Sequence, residues 1–353
     1  MQKKVEQELE IIDLDEPADE AATDAEVPRK KGFRINTHIV LAFVVLLTIA
    51  VIFFRLSNWG VFVDPNDMEG DQGDDEYYAE NLDNILPLTD AEGNMNRPSK
   101  EDGLSIAVFG NGSFAEDRNS EDGLAAMLAD ATGATVYNCS FSETYMAESA
   151  SQNLPLDVYS PYWLSLLACR LTSGKYQEDA ILTLGADAPP DLESVYETLK
   201  ALDFTTIDAI VFMYDASDYL AGRPVYNPDN PTDVSCAIGN LNASIELLKQ
   251  YLPNARIIVM SPTYAFSDRL DENGNYISSD IVRYGENPLS DYVQHMARIA
   301  TEQQVTFVDN FYVTFNEDNA ADYLTDNMHL NSEGRRKVIE RLVYALDYFG
   351  GWK

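Results

Sequence analysis

Short apolar runs alternate with amphipathic stretches from about residue 104 to the C-terminus. Runs of five or six apolar residues predict buried strands, and stretches with a period of 3.6 predict helices. The predicted strands are 105–109, 135–137, 208–213, 255–260 and 305–309. The predicted helices are one with Ser120 as N-cap and Leu124, Met127 and Leu128 on one face, and then 164–171, 192–202, 234–251, 289–301 and 332–349. This alternation predicts an α/β domain with a doubly wound, parallel five-stranded sheet over residues 103–353.

A second pattern, at 39–54, is an almost unbroken apolar run. With its flanks it reaches the roughly 20 residues that a membrane-spanning helix needs, so we predict one transmembrane helix at 37–56. Four basic residues lie at 29–34 and only Arg55 follows nearby, which places the N-terminus in the cytoplasm and the rest of the chain outside. A cleaved signal peptide is the alternative. The long acidic segment before the run and the absence of a small-x-small cleavage site favour an uncleaved anchor.

The chain has a formal net charge of −35, and the regions before and after the predicted membrane helix are both acidic. Residues 1–36 read as an acidic, disordered cytoplasmic tail, and 57–102 as an acidic extracytoplasmic linker. A nucleic-acid partner is excluded because it requires a basic footprint that this chain lacks. We predict that the chain is a single-pass protein of the cell membrane. Its predicted partner is the lipid bilayer, which it contacts through this one helix. The ectodomain itself is not built to lie on anionic lipid.

The strongest candidate for chemistry is His329, which follows Asp326 by three residues just before the last predicted helix. An Asp at this spacing can orient an imidazole and stabilise its charge, as in a general base. The other two histidines lie at the edge of the apolar run and in the middle of a helix. A purely structural hydrogen bond between Asp326 and His329 is the alternative interpretation.

Polar segments also follow the first three strands. They read Gly110-Asn-Gly-Ser113, Tyr137-Asn-Cys-Ser140-Phe-Ser-Glu143 and Asp215-Ala-Ser217-Asp218. Since parallel strands end at the same edge of a sheet, we expect Gly112, Ser140, Ser217 and His329 to gather there.

In this order and spacing, the chain resembles the SGNH (GDSL) hydrolase superfamily of flavodoxin-like esterases and acyltransferases. The resemblance covers about 103–350. It implies a serine nucleophile in Gly-Asp-Ser after the first strand and an Asp-x-x-His near the end. It also implies oxyanion donors from a Gly after the second strand and from the Asn of Gly-x-Asn-Asp after the third. It implies no cofactor.

This chain departs from the family pattern at several positions. Glycine stands at the nucleophile position, and the nearest hydroxyl is one residue later; a carboxylate replaces the oxyanion Gly, and a serine replaces the Asn. By the resemblance, the catalytic candidates are Ser113, Asp326 and His329, and the oxyanion or substrate-binding candidates are Gly112, Glu143, Ser217 and Asp218. Ser113 either serves as the nucleophile after a local bulge or is an ordinary turn or N-cap serine.

Two functions of different class follow. The first is a membrane-anchored extracytoplasmic esterase or O-acyl transferase with a degenerate site, acting on envelope glycans or their acyl groups. The second is a catalytically silent member of the fold that binds a glycan, peptide or partner protein. A weaker idea uses Asp215, Asp218, Asp326 and His329 as ligands of a hard cation. Capping and loop hydrogen bonds are the more ordinary role for these side chains, and no metal is expected.

Overall fold

Five parallel strands form the central sheet of the computed structural model, which describes residues 81–89, 93–96, 103–148 and 190–350. All of these residues belong to one compact unit that spans 76–353. The strands are β1 (Ser105–Gly110), β2 (Thr135–Asn138), β3 (Ala209–Met213), β4 (Arg256–Met260) and β7 (Thr306–Val308). Their order in the sheet is β2-β1-β3-β4-β7. This is the flavodoxin-like order, so the predicted parallel five-stranded sheet is confirmed.

The central strand β3 and its neighbour β4 explain why the apolar runs are clear in the sequence. Every residue of β3 and β4 is buried, because helices cover both faces of a parallel sheet. The register places Ile210 beside Ala107 on one side and beside Ile257 on the other. Strand β3 is apolar along its whole length and β4 is apolar after Arg256, so each appears in the sequence as a short apolar run.

The helices pack in two groups. The described ones are α1 (Gly112–Ala115), α2 (Leu124–Thr132), α3 (Leu192–Ala201), α4 (Ser217–Leu220), α5 (Ala237–Tyr251), α6 (Leu289–Glu302), α7 (Ala320–Tyr323) and α8 (Ser332–Asp347). Helix α2 contacts α8, and α5 contacts α6. Right-handed crossovers in this strand order place these pairs on opposite faces of the sheet. The predicted helix at 164–171 and the predicted membrane helix at 37–56 lie outside the described residues.

The start of α2 corrects one prediction. Its N-cap is Gly123 rather than Ser120. Ser120 instead belongs to the preceding turn, where its carbonyl accepts the Gly123 N–H at 3.1 Å and its hydroxyl accepts the Asp122 N–H at 3.1 Å. A Cβ atom at position 123 would lie 2.5 Å from the carbonyl oxygen of Asp117, so the turn closes only around a glycine. The serine therefore caps a turn and not the helix.

An antiparallel hairpin was not anticipated from the sequence. Its strands are β5 (Phe266–Leu270) and β6 (Tyr276–Ser278). The hairpin is tied to the loop that carries His329, since the Phe266 N–H donates to the Asn327 carbonyl at 2.8 Å. The Asn327 amide returns a hydrogen bond to the Phe266 carbonyl at 3.3 Å. The hairpin thus fixes one side of the candidate site.

Residues 81–89 come from the region that the sequence assigned to the linker, and they run along the outer edge of β7. Asn84 and Phe307 exchange both backbone hydrogen bonds, at 3.0 and 2.9 Å, in an antiparallel bridge. An ion pair between Asp83 and Arg341 adds a contact to α8. The segment covers a strand edge that would otherwise expose unpaired backbone groups.

Within the described part of the chain, none of the helices is long and apolar enough to cross a bilayer.

Candidate functional site

The loop before α8 holds Asp326 and His329 together. A bridge between Leu324 and Leu330 closes this loop, and Oδ1 of Asp326 accepts the backbone N–H groups of Met328 and His329 at 2.9 and 2.8 Å. Oδ2 of Asp326 then lies 2.6 Å from Nδ1 of His329. The predicted pair therefore forms, in the geometry of an aspartate that orients an imidazole. Burial raises the pKa of Asp326, but these backbone and side-chain hydrogen bonds outweigh it and leave the pKa below its usual range.

The second ring nitrogen of His329 faces a carboxylate. Nε2 lies 3.3 Å from Oε1 of Glu116, a residue that the sequence did not single out. Burial opposes a charge on the imidazole. The hydrogen bond with Asp326 and the negative charges of Glu116, Asp326 and Asp215 outweigh burial and raise the pKa of His329. These contacts favour the imidazolium form, whereas a general base must be neutral to accept a proton.

Ser113 does not join this pair. The Glu116 N–H donates to the Gly112 carbonyl at 2.9 Å and closes the single turn of α1, so Glu116 follows Gly112 by one turn. A helical residue next to Gly112 points about 100° away from it. Among the described residues, the Ser113 hydroxyl has no hydrogen-bond partner, and the ring nitrogens of His329 contact Asp326 and Glu116.

Position 112 leaves no room for a side chain. A Cβ atom there would lie 2.5 Å from Oδ2 of Asp215 and 3.5 Å from Oε1 of Glu116. Asp215 is held in place because its Oδ1 accepts from the Asn111 amide at 2.8 Å and from the Ser217 N–H at 2.9 Å. Its own N–H donates to Oδ1 of Asn111 at 2.9 Å. The family's nucleophile position is thus occupied by backbone, with a fixed carboxylate in front of it.

Asn111 connects three of the strand ends. It is 1% exposed, and its amide donates to the Thr144 carbonyl after β2 at 2.9 Å as well as to Asp215 after β3. This buried amide was missed because its role depends on partners that lie 33 and 104 positions away in the chain.

The two predicted oxyanion donors differ from each other. The Ser217 hydroxyl donates to Oδ1 of Asp215, so it is engaged within its own loop. Glu143 is exposed and adopts φ of 56°, the left-handed conformation that favours glycine. The backbone at 143 therefore adopts a conformation that glycine favours, although the residue carries a carboxylate.

Asp218 lies outside the contacts of His329. It is 3% exposed and accepts the N–H groups of Met146 and Ala147 at 2.7 and 2.8 Å. Burial raises the pKa of Asp218 to about 6, although both hydrogen bonds lower it. This carboxylate joins the loop after β2 to α4.

Within the described ranges, no group of three or more His, Cys, Asp or Glu residues is placed to hold a metal ion. This includes the four residues that the sequence suggested as cation ligands.

A buried arginine forms ion pairs with two of the acidic residues near the site, Glu116 and Asp117. Arg335 on α8 donates to Asp117 and to the Asp122 carbonyl, and its Nη2 lies 3.4 Å from Oε2 of Glu116. Burial raises the pKa of Glu116, and Asp215 and Asp326 raise it further, while His329 and Arg335 lower it. Glu116 thus bridges Arg335 and His329. Its position one turn after Gly112 is the sequence signal that could have indicated it.

No family model matches the chain, and no curated protein matches it either. Solved structures do. A possible lipase from Chitinophaga pinensis is 14% identical, with a TM-score of 0.45 over 70% of this chain and 99% of that one. A carbohydrate acetylesterase from Sinorhizobium meliloti is 11% identical, with a TM-score of 0.40 over 70% and 99%. A candidate GDSL-like lipase from Bacteroides uniformis is 12% identical, with a TM-score of 0.39 over 70% and 96%.

One of these neighbours is described as a GDSL-like lipase, which is the kind of protein that the motifs of this chain resemble. Identities and TM-scores this low carry no activity over to this chain. Its function has to follow from its own strand order and from its own site.

Proposed function

We propose that this chain is a divergent SGNH/GDSL-like protein whose strand-end site binds its ligand without serine-dependent hydrolysis. The ligand class is an envelope glycan, a peptide or a partner protein outside the cell, where the predicted membrane anchor would present the domain. One observation carries the proposal. The nucleophile position is Gly112, with Asp215 directly in front of it and Glu116 in contact with the histidine that a serine would need.

The local charge also opposes acyl transfer. An ester reacting at this site would develop a negative oxygen beside Asp215 and Glu116. Two like charges about 4 Å apart repel by about 4 kcal/mol at an effective dielectric constant near 20. The loss of one oxyanion donor alone typically costs about 100- to 1000-fold in rate, and the Ser217 hydroxyl already donates to Asp215. The repulsion and the missing oxyanion donors therefore both lower the rate of acyl transfer.

Hydrolysis or acyl transfer through Ser113 is the second candidate. It is favoured by the Asp326–His329 pair, whose 2.6 Å contact is intact. Ser113 is partly buried, and its hydroxyl has no hydrogen-bond partner among the described residues. For this reaction the turn of α1 would have to shift until Ser113 replaced Glu116 beside Nε2 of His329. His329 would then accept the hydroxyl proton while the serine oxygen attacked the ester carbonyl. It would return that proton to the alcohol that leaves when the ester C–O bond breaks.

The test is turnover of a small acetyl ester and of an O-acetylated glycan by the full chain. We expect rates equal to those of the His329→Ala and Ser113→Ala variants, which should both fold like the parent. Turnover on the order of 10 per second, lost in both variants, would contradict the binding proposal and support the second candidate.

A matched pair of variants probes the cause. Gly112→Ser alone should disturb the fold of the site because its Cβ meets Asp215 at 2.5 Å. Asp215→Gly removes this clash, but it also removes the hydrogen bonds of Asp215 with Asn111 and Ser217, so the reference for the double variant is Asp215→Gly alone. In thermal denaturation, Gly112→Ser should cost less stability in the Asp215→Gly background than in the parent. Equal costs in the two backgrounds would show that Asp215 does not block position 112.

A further inference from the structure

A cavity lies at the end of the sheet opposite His329, at the N-terminal ends of β4 and β7. Its volume is about 440 Å³, within the range of small-molecule sites. The apolar part of its wall includes Leu86, Leu88, Leu252 and Val305. Strand β4 begins at Arg256 and β7 begins at Thr306, so the cavity lies at the N-terminal ends of these strands. The candidate site lies beyond the C-terminal ends of the strands, at the opposite end of the sheet from the cavity.

The charge of this cavity differs from that of the molecule. Its two charged lining residues are Lys249 and Arg256, and no Asp or Glu is found among the described residues that line it. The whole chain has 59 Asp and Glu against 24 Lys and Arg. In so acidic a protein, a concave surface with only positive charges selects for anions.

The wall of the cavity is held by hydrogen bonds. The Thr306 hydroxyl accepts the Leu86 N–H at 3.1 Å and donates to the Leu86 carbonyl at 2.9 Å, which fixes the segment 81–89 in place. The same hydroxyl accepts a hydrogen bond from Nη2 of Arg256 at 3.3 Å. The cavity therefore exists only while this segment lies against β7.

The two cations have different surroundings. Arg256 is 2% exposed, and its guanidinium donates to the carbonyls of Ala345 and Leu346 at 2.9 and 3.1 Å, at the negative end of α8. Lys249 is exposed, and its ammonium donates to the Gln303 carbonyl. Because an ammonium has three donors, Lys249 can hold an anion while it keeps this bond.

We propose that this cavity binds a small amphipathic anion, with a carboxylate or phosphate head at Lys249 and a short alkyl body against Leu86, Leu88 and Leu252. The buried Arg256 adds positive potential behind the head group. This site is separate from the strand-end site and does not depend on the function proposed for it.

The first experiment is calorimetric titration of the full chain in nanodiscs of zwitterionic lipid, with empty nanodiscs as the blank. Hexanoate and hexyl phosphate should bind, and hexylamine, which has the same tail and the opposite charge, should not. Acetate and inorganic phosphate, which lack the tail, should bind at least about tenfold more weakly. Absence of hexanoate and hexyl phosphate binding, or equal binding of hexylamine, overturns the proposal.

The second experiment tests the residues. Lys249→Glu should weaken hexanoate binding at least about tenfold, whereas Lys337→Glu, the same charge change on α8, should leave it within about twofold. Leu88→Asp, which places a negative charge in the wall without touching either cation, should also weaken it. Circular dichroism shows whether each variant is folded. Unchanged affinity in folded Lys249→Glu and Leu88→Asp overturns the proposal.

A final arm separates the two sources of such an anion. With anionic phospholipid added to the nanodiscs, weaker apparent hexanoate binding identifies a lipid head group as the ligand. Unchanged binding identifies a free amphipathic anion. Either result supports the site, because both require the affinity for hexanoate that the first experiment measures.

Discussion

At the scale of single residues, the His329 imidazole lies between two carboxylates, one at each ring nitrogen. Asp326 was expected from the spacing of the chain, whereas Glu116 was brought there by the turn of α1. The protonated imidazole is stabilised by both. Because the pKa of His329 is raised, this stabilisation is fully present below pH of about 6.5 and is lost as the pH rises through the folded-state pKa.

We predict that Glu116→Gln lowers the pKa of His329, because the substitution removes one of the charges that favour the imidazolium form. Proton NMR titration of the full chain measures this pKa, with His329→Gln used to assign the signal. Glu333→Gln is the control, since Glu333 is an exposed residue paired with Arg336 on α8. An unchanged His329 pKa in Glu116→Gln would show that the two side chains are not in contact.

Asp218 gives a pH dependence of the stability. Its folded-state pKa is raised from 3.8 to about 6, so the folded state prefers the neutral acid. This contribution to stability is fully present below pH of about 4 and is lost as the pH rises through about 6. Relative to Asp218→Asn, the parent should lose up to about 3 kcal/mol across this range. Urea denaturation between pH 4.5 and 7.5, a range that covers about 2 kcal/mol of this loss, checks it. Parallel curves for the two proteins would refute it.

At the scale of elements, α8 is joined to the loop after β1 through Arg335. The side chain of this arginine is 9% exposed, and it contacts both Glu116 and Asp117. Its neighbour Arg336 forms ion pairs with Glu333 and Glu340, but its side chain is 50% exposed. The two residues therefore form a matched pair of a buried and an exposed ion-paired arginine.

We predict that Arg335→Gln lowers the free energy of unfolding by about 2 kcal/mol or more, because it leaves Glu116 and Asp117 without their buried partner. Arg336→Gln should change it by less than about 1 kcal/mol, since exposed ion pairs contribute little. Chemical denaturation of the two variants at pH 7 measures both values. Equal losses would mean that burial of Arg335 adds nothing to its ion pairs.

The elements also show where sequence patterns succeed. Strands such as β3 are apolar throughout because both of their faces are buried, and their positions were predicted to within one or two residues. The hairpin of β5 and β6 was missed because only part of it is buried, which leaves no clear alternation; three of the five residues of β5 are exposed. Gly123 replaced Ser120 as the N-cap because the preceding turn needed a residue without Cβ.

At the scale of the whole molecule, the apolar run and the basic residues before it predict a protein held at the outer face of the membrane. The apolar run at 39–54 and the basic residues at 29–34 lie outside the described residues, so this topology remains a prediction. Protease added to intact cells should digest or release the domain beyond Asp64. A domain that stays intact while a surface control protein is cut would reverse the predicted orientation.

The sequence by itself determined the order of strands and helices, the parallel sheet and the pairing of Asp326 with His329. Each depends on local information, either a period of apolar residues or a spacing of three. Only the tertiary structure decided what faces that histidine. Glu116 and Asp215 reach the site from other strand ends, 213 and 114 positions away from His329. Their carboxylates fill the space around Gly112 through side-chain packing and hydrogen bonds that no local pattern encodes.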